Sequence, residues 1–456
     1  MKYDVFIIGT GQAGVPLATR LVKVGKKVAI AESGYLGGTC VNTGCTPTKT
    51  MIASAKAMDV VRNASRLGVR VSNLHIDFPY VVKRKNEIVR QWRESVREKI
   101  EDAGENLSLI KGEARFVGPK EIEVIENRYK ADIVIINTGT RPTIPPIRGI
   151  ESVPWHYNDT IMQLEELPSR LLIIGGGYIG CEFAQMFRRF GSEVTIIEMA
   201  NHLLATEDSD ISETVEQVFR NEGIELNLGK KISGVAQKNG NIHMELEDGI
   251  RLEGSHLLCA AGRTPNTDKL NCEAAGIELD ERGYIVADNF YRTSADGVYA
   301  VGDVLGPFPQ FTHSSWDDHR LLFDLLMNKG NRGRSDRVIP FTVFTDPQVA
   351  RVGKTQKELD KEGIQYEIAT MPFENVARAI EIDEPEGMMK VLIQPESEEL
   401  LGAAIVGAEA GELIHIFVPL MYAHVSMRAI VESEFVHPTF AEGVQSLVMR
   451  LPRYSL

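Results

Sequence analysis

Residues 3–32 read YDVFIIGTGQAGVPLATRLVKVGKKVAIAE, and residues 170–198 read RLLIIGGGYIGCEFAQMFRRFGSEVTIIE. In the first stretch the apolar run Val5–Ile8 leads into Gly9, Gly11 and Gly14. A helix-like segment follows, and a second apolar run ends at Glu32. In the second stretch Gly175, Gly177 and Gly180 take the same places, and the run ends at Glu198. The acid follows the first glycine by 23 positions in both (32 − 9 and 198 − 175). One GxGxxG is weak evidence, because glycine clusters also make ordinary turns. Two copies in strand–turn–helix–strand context, each closed by an acid at the same offset, predict two doubly wound dinucleotide-binding domains in series. The first glycine makes the tight turn and the second admits a pyrophosphate. The third lets helix and strand pack closely, and the helix N-terminus holds the anion. The closing carboxylate accepts hydrogen bonds from ribose hydroxyls.

Each copy also ends alike. ADIVIINTGTRPTIPP (131–146) and SHLLCAAGRTPNTDK (255–269) are apolar strands running into Gly-Thr or Gly-Arg turns, with a boundary near PPIRGIESVP (145–154). YRTSADGVYAVGDV (291–304) is a further strand ending at Asp303. The tail from about Arg337 changes rhythm: strand-like runs at 341–344, 388–393 and 401–406 alternate with one helical stretch at 412–424. That pattern predicts a separate antiparallel α/β domain. The expected divisions are 1–148, 149–263, 264–336 and 337–456.

Bulk properties limit the function. The 456 residues carry 50 basic and 63 acidic side chains, a net charge of −13 without a long basic run. This disfavours nucleic acid or an anionic membrane as the main partner. No apolar run approaches the roughly 18 residues that span a bilayer. The N-terminus enters a strand pattern at once, which predicts no signal peptide and a cytoplasmic location. There cysteine pairs are catalytic or transient more often than structural.

Five cysteines stand at 40, 45, 181, 259 and 272. Two of them share GGTCVNTGCTPTKT (37–50). A zinc site normally needs four nitrogen or sulfur ligands, often as paired short cysteine spacings, and no second pair exists. The flanking glycines and polar residues argue against inert core thiols. A redox disulfide fits best: the five-residue offset can be bridged across a distorted first helical turn. A helix starting here would lower a thiol pKa at its N-terminus. Pro47 then falls in a first turn, where its missing N–H matters little.

With these motifs in hand the chain resembles the flavin-dependent pyridine-nucleotide disulfide oxidoreductases, over essentially its whole length. GGTCVNTGC…PTK matches the redox-disulfide segment. TGTRP (138–142), AGRTPN (261–266), YAVGD (299–303), FTDPQVARVG (344–353) and HPTFAE (437–442) match in order. The resemblance implies two Rossmann-like dinucleotide-binding domains, for FAD and NAD, plus a C-terminal α/β dimerisation domain. It implies FAD bound by Gly9, Gly11, Gly14, Glu32, Ser33, Gly38, Thr39, Lys49, Ala114, Thr138, Gly139, Asp303 and Thr312. It implies NAD(H) bound by Gly175, Gly177, Tyr178, Ile179, Gly180, Glu182, Glu198, Gly262 and Arg263. Cys45 would be the flavin-proximal thiol and Cys40 the interchange thiol that attacks substrate. Lys49 and Glu182 match a pair that the family places beside the flavin. His437 would be the acid–base group and Glu442 would orient it. The dimer would be a homodimer with shared active sites.

Glu198 in place of an arginine favours NAD(H), because a carboxylate accepts from a free ribose diol and repels a 2′-phosphate. The substrate is read as a small-molecule disulfide or a thiophilic metal ion. The chain end, MRLPRYSL, lacks the vicinal cysteines of mercuric reductases, and their N-terminal metal-binding domain is absent from the sequence. Thr43, Thr46 and Thr50 stand where dihydrolipoamide dehydrogenases have apolar residues or alanine. FTHSSWDDHR (311–320), TKT (48–50) and Arg351 resemble instead the metal-reductase-like branch that includes a copper(II) reductase of reactive-chlorine resistance. The alternatives are dihydrolipoamide dehydrogenase, with the same machinery run backwards, and a redox-sensing or NADH-oxidase-like flavoprotein. No resident metal is expected. His313 and His319, six residues apart, raise the question of a soft-metal contact, and ordinary surface or packing histidines are the simpler reading.

Overall fold

The computed structural model describes residues 1–306 and 310–455. They form two compact units, residues 1–50, 80–143 and 262–337 in one, and 51–79, 144–261 and 338–455 in the other.

The first unit is built on a seven-stranded sheet. Strand β1 (Lys2–Ile8) lies between β2 (Val28–Glu32) and β6 (Asn127–Ile136). Both pairings are parallel, Val5 facing Val28 on one side and Ile133 on the other. β3 (Leu107–Lys111) extends the parallel edge next to β2, and Val298–Ala300 pairs in parallel with β6. β4 (Ala114–Gly118) and β5 (Glu121–Val124) form an antiparallel hairpin beside β6. Buried on both faces, β1 and β2 are near-continuous apolar runs, as central parallel strands require. Helix α1 (Gly14–Lys23) buries Leu17, Ala18 and Leu21 against this sheet. Two helices carry the cysteine segment, α2 (Gly38–Asn42) and α3 (Cys45–Asn63), of which residues 51–63 are counted with the second unit, and α4 (Phe78–Glu101) follows. The helix Thr312–Leu326 also belongs to this unit and packs on α1 through Arg20 over the Phe323 ring.

In the second unit, Arg170–Ile174, Glu193–Glu198, Glu225–Leu228 and His256–Cys259 form a four-stranded all-parallel sheet. The helix Tyr178–Phe190 covers it with nearly every side chain buried. A three-stranded antiparallel meander, residues 232–254, adjoins it. The tail is a five-stranded antiparallel sheet in the order Phe341–Val343, Gln348–Gly353, Leu400–Gly407, Met388–Ile393, Glu367–Pro372. The fold class is the expected one, α/β with two dinucleotide-binding sheets and a C-terminal α/β domain. Among the described residues no helix is long and apolar enough to cross a membrane.

Candidate active site

The two glycine turns are near-copies in atomic detail. Gly9 (φ +105°) and Gly175 (φ +106°) both occupy the left-handed region, and a methyl group on either would strike the carbonyl of Asn137 or Ala260. A methyl on Gly14 or Gly180 would collide with the carbonyl oxygen of Gly9 or Gly175, so helix and strand approach as closely as backbone allows. Gly177, at the N-cap of Tyr178–Phe190, faces open space within 4 Å. The acids match as well. Glu32 Oε2 accepts from the Thr10 N–H at 3.0 Å and Oε1 from the Gly34 N–H at 2.8 Å. Glu198 Oε2 accepts from the Gly176 N–H at 2.6 Å and Oε1 from the Ala200 N–H at 2.8 Å. Each carboxylate has about four lone-pair sites, so both retain capacity for a ribose diol. In the first turn the Thr10 hydroxyl adds a third bond to Glu32, at 2.6 Å, which sequence reasoning missed.

The cysteine segment is not one distorted helix but two. α2 stops at Asn42, and Cys45 opens α3. Cys40 and Cys45 are both free thiols, Cys40 half-buried and Cys45 exposed. Their sulfurs hydrogen-bond to each other, which with burial pushes the Cys40 pKa far up, against the opposing pull of Thr312 and Lys49. A helix-start lowering therefore does not reach Cys40, whose neighbour sulfur and burial dominate. Cys45 Sγ also lies 3.1 Å from Thr312 Oγ1. On its other side α2 is fastened at both ends. Gly37 N–H donates to Thr10 Oγ1 at 3.2 Å, and Gly38 packs so tightly on Gly11 that a side chain would not fit. Asn42 Nδ2 donates to the carbonyls of Leu36 and Gly38, at 2.9 and 2.8 Å, while Arg93 Nε donates to Asn42 Oδ1 at 2.9 Å. The Arg93 guanidinium lies 3.6 Å over the Tyr35 ring. Asn42 sits inside the quoted motif and was legible in principle; nothing in the sequence singles out Arg93.

A second group of first-unit residues surrounds Asp303. Ser315 Oγ donates to Asp303 Oδ1 at 3.2 Å. Burial raises the Asp303 pKa, opposed by Arg263 and by hydrogen bonds from Ser315 and Thr140. Arg263, expected on the NAD side, donates to Thr140 Oγ1 at 2.6 Å and to the Thr140 carbonyl at 2.9 Å, within the unit that holds the FAD candidates. The antiparallel pairing of Thr140–Pro142 with Arg263–Pro265 puts it there, and Gly262 accepts from the Thr143 N–H at 3.0 Å in the same corner. Thr138 Oγ1 is buried without a hydrogen-bond partner, and Gly139 accepts from the Asn266 N–H at 3.0 Å. Ala114 is buried at the start of β4, while Ser33 is exposed on the loop after Glu32 and Thr39 is exposed in the first turn of α2. Lys49 lies one turn into α3.

In the second unit Glu182 is buried, and its Oε1 accepts from the Phe344 N–H at 2.9 Å. Tyr178, followed by half-buried Ile179, lays its ring 5.4 Å from Phe341 and shares a hydrogen bond with Thr206 Oγ1 at 3.1 Å. Arg351 donates to buried Glu207 at 2.8 Å and covers Phe341. His437 Nδ1 sits 2.9 and 3.0 Å from the two oxygens of Glu442, with 72% of its side chain exposed. The buried-orphan hydroxyl at Thr138, the open turn at Gly177 and the half-free carboxylates of Glu32 and Glu198 fit two dinucleotides. His313 and His319 do not converge. Six residues put them about 120° apart on a helix; His313 is exposed, and buried His319 donates Nδ1–H to the Trp316 carbonyl. Among the described residues no cluster of three His, Cys, Asp or Glu side chains is set to hold a metal ion.

This combination, two dinucleotide turns and a dithiol at a helix start, defines a flavin- and pyridine-nucleotide-linked disulfide oxidoreductase. Residues 3–318 match the family described as pyridine nucleotide-disulphide oxidoreductase, and residues 339–448 match its dimerisation domain. The chain belongs to that family, an enzyme family that uses FAD and NAD(P)H. It is 35% identical to the Escherichia coli protein named "Probable pyridine nucleotide-disulfide oxidoreductase RclA", over 98% of each chain. The Cu(II) complex of that "HOCl-induced flavoprotein disulfide reductase" superposes with a TM-score of 0.90 at 34% identity, covering 98% of this chain and 99% of the other. A mercuric reductase of Bacillus cereus is 34% identical over 98% of this chain and 71% of its own length. A dihydrolipoyl dehydrogenase of Thermus scotoductus is 33% identical over 100% and 98%.

Proposed function

We propose that the protein is an NADH-dependent reductase of a thiophilic metal ion, copper(II) or mercury(II), or of a small disulfide, acting through Cys40 and Cys45. The observation that carries this is the hydrogen-bonded thiol pair across the break between α2 and α3. Glu198 supports NADH over NADPH. The Cu(II) complex of the Escherichia coli relative supports a metal-ion substrate. FAD, held by the Gly9–Gly14 turn, Glu32, Thr138 and Asp303, supplies two-electron transfer between nicotinamide and disulfide. Glu182 and Lys49 balance charge there, and Gly175–Gly180 with Glu198 hold NADH.

With a disulfide substrate, the Cys40 thiolate attacks one substrate sulfur and expels the other as a thiol. Cys45 then attacks Cys40, which releases the second substrate thiol and restores Cys40–Cys45. His437, oriented by Glu442, carries the proton from Cys40 to the leaving sulfur. With a metal ion the two sulfurs bind it side by side. Two electrons reduce two copper(II) to copper(I), or one mercury(II) to the metal, as NADH becomes NAD and a proton. The working form is taken to be a cytoplasmic homodimer with shared active sites.

The test is steady-state turnover with NADH against copper(II), mercury(II), lipoamide and glutathione disulfide in parallel. Metal-ion or glutathione disulfide reduction well above lipoamide reduction is expected. Lipoamide turnover on the order of 10² s⁻¹ would replace this reading with dihydrolipoamide oxidation. Turnover with oxygen alone, insensitive to loss of either cysteine, would favour an NADH-oxidase-like flavoprotein.

A further inference from the structure

We infer that Gln185 is a positioning residue for Glu182, acting through the backbone of residues 344–346; this rests on the reading above, in which Glu182 balances charge beside the flavin. Gln185 and Arg189 follow Glu182 by three and seven positions in the helix Tyr178–Phe190 (185 − 182 and 189 − 182). At about 3.6 residues per turn the three share one face. All three are buried, and each bonds to the short stretch of chain that follows the strand Phe341–Val343. The Phe344 N–H donates to Glu182 Oε1 at 2.9 Å. The Asp346 N–H donates to Gln185 Oε1 at 2.8 Å, and Gln185 Nε2 donates to the Asp346 carbonyl at 2.6 Å. Arg189 Nη1 donates to Asp346 Oδ2 at 2.7 Å.

Gln185 thus treats Asp346 as a neighbouring strand would, taking its N–H and giving to its carbonyl. An N–H can only donate and a carbonyl only accept, so the amide fits in one orientation. Its second N–H goes to Glu222 Oε1 at 2.7 Å. Arg189 grips side chains, Asp346 and Glu222, whose rotamers can follow it. Gln185 grips peptide groups, and so fixes the path of the main chain itself. Two residues earlier that main chain supplies the N–H that aims Glu182.

The dependence runs one way. Asp346 has anchors of its own in Gln185, Arg189 and, from α3, Lys56 at 3.4 Å. Burial opposes its ionisation, yet Arg189 and Lys56 hold its carboxyl below the usual range, so both ion pairs stay formed at neutral pH. Loss of Glu182 leaves Asp346 seated. Loss of Gln185 releases Asp346, and with it the Phe344 N–H.

The experiment uses the full-length FAD-loaded enzyme with Gln185→Met, which keeps length and shape without the amide, and Glu182→Ala. Amide hydrogen exchange, resolved to single residues by mass spectrometry, is read at Phe344 and Asp346. Gln185→Met is expected to speed exchange at both about tenfold or more, and Glu182→Ala at Phe344 alone. Arg189→Lys keeps the charge but loses the fork that reaches Asp346 and Glu222 together. It should loosen Asp346 in the same direction, which preserves the test if Gln185→Met does not fold. In stopped flow, Gln185→Met should slow flavin reduction by NADH about tenfold and leave reoxidation by substrate near the parent rate. Added to Glu182→Ala, Gln185→Met should slow flavin reduction no further, because the two act through one carboxylate. Parent-like exchange at Phe344 in Gln185→Met, or in Arg189→Lys should that variant alone fold, overturns the inference. So does a slowing by Gln185→Met that is just as large without Glu182, since it then acts by another route. If Glu182→Ala reduces flavin at the parent rate, the reading that puts Glu182 beside the flavin fails, and this one with it.

Discussion

Glu198 shows how much a single residue can decide. Its two oxygens accept from the N–H groups of Gly176 and Ala200, which fixes the carboxylate at the end of its strand instead of leaving it to swing in solvent. A fixed negative charge at that place accepts from a ribose 2′-hydroxyl and repels a 2′-phosphate. Glu198→Arg should therefore lower the NADH/NADPH ratio of kcat/KM by about tenfold or more, equivalent to about 1.4 kcal/mol. Initial rates with each nucleotide measure it. Equal use of both by the parent enzyme would remove the argument. The acid itself was readable from the sequence, because a 23-residue offset from a glycine turn is a property of one βαβ unit. Its backbone partners were not readable by type, since an N–H is present at almost every position. Arg263 misled for a related reason. Its motif is local, but its neighbours Thr140 and Asp303 lie 123 and 40 positions away (263 − 140 and 303 − 263) and are supplied by strand pairing.

At the scale of elements, α2 is too short to hold itself in place, since isolated helices under about 12 residues are marginal in water. Its five residues depend on the Thr10–Gly37 bond at one side and the Arg93–Asn42 bond at the other. Removing the guanidinium takes away the donor to Asn42 Oδ1 and uncovers Tyr35, and the slack falls on the helix that presents Cys40. Arg93→Ala should slow reoxidation of the reduced enzyme by substrate about tenfold, while flavin reduction by NADH stays near the parent rate. Stopped-flow measurement of the two half-reactions separates these, and equal slowing of both would mean a general loss of structure. A second element-level device lies in the tail. Glu398 accepts from Ser426 Oγ at 2.5 Å, Tyr454 OH at 2.8 Å, and Arg428 and Arg453 at 3.1 Å each. Hydrogen bonds from Ser426 and Tyr454, then from the two arginines, hold its pKa down, from 4.5 to about 2. A depressed carboxyl stabilises the folded state above its ordinary pKa, and that stability is lost as pH falls from about 4.5 towards 2. Glu398→Gln should lower the thermal midpoint at pH 7 and flatten this acid-side loss; unchanged melting at both pH 7 and pH 3 would refute it. The strands Gln348–Gly353 and Glu367–Pro372 of the same domain escaped sequence reading, because short runs such as QVARVG mix polar and apolar residues without clean alternation. The single helix expected at 412–424 proved to be Ala410–Leu413 and Phe417–Tyr422 with a tighter turn at Ile414–Ile416. Pro419 has no N–H for the His415 carbonyl, which disfavours an unbroken α-helix there.

At the scale of the whole molecule, the repeat of two dinucleotide units was legible because each is built from contacts within about 30 residues. What would bring His437 to a dithiol was not, because it depends on chain segments far apart. His437 and Cys45 stand 392 positions apart (437 − 45) and belong to different compact units. His437 is oriented by Glu442 and yet 72% exposed in the single chain, the condition of an acid–base group whose substrate partner comes from elsewhere. Residues 339–448 are a dimerisation domain, and an isologous dimer would place two equivalent composite sites about its two-fold axis. We therefore expect one chain's histidine to serve the other chain's dithiol. Cys45→Ser and His437→Ala should each be nearly inactive as homodimers. In a mixed dimer, the His437→Ala chain brings intact cysteines and the Cys45→Ser chain brings an intact histidine, so one of the two sites is whole. Co-expression with two different affinity tags isolates that species, and it should recover up to about half the parent activity per dimer if the two sites turn over independently. The Cys45→Ser, His437→Ala double mutant paired with the parent supplies the control, since it leaves no complete composite site. Mixed dimers that form and remain as inactive as either single mutant would show that His437 acts within its own chain or takes no part in the reaction.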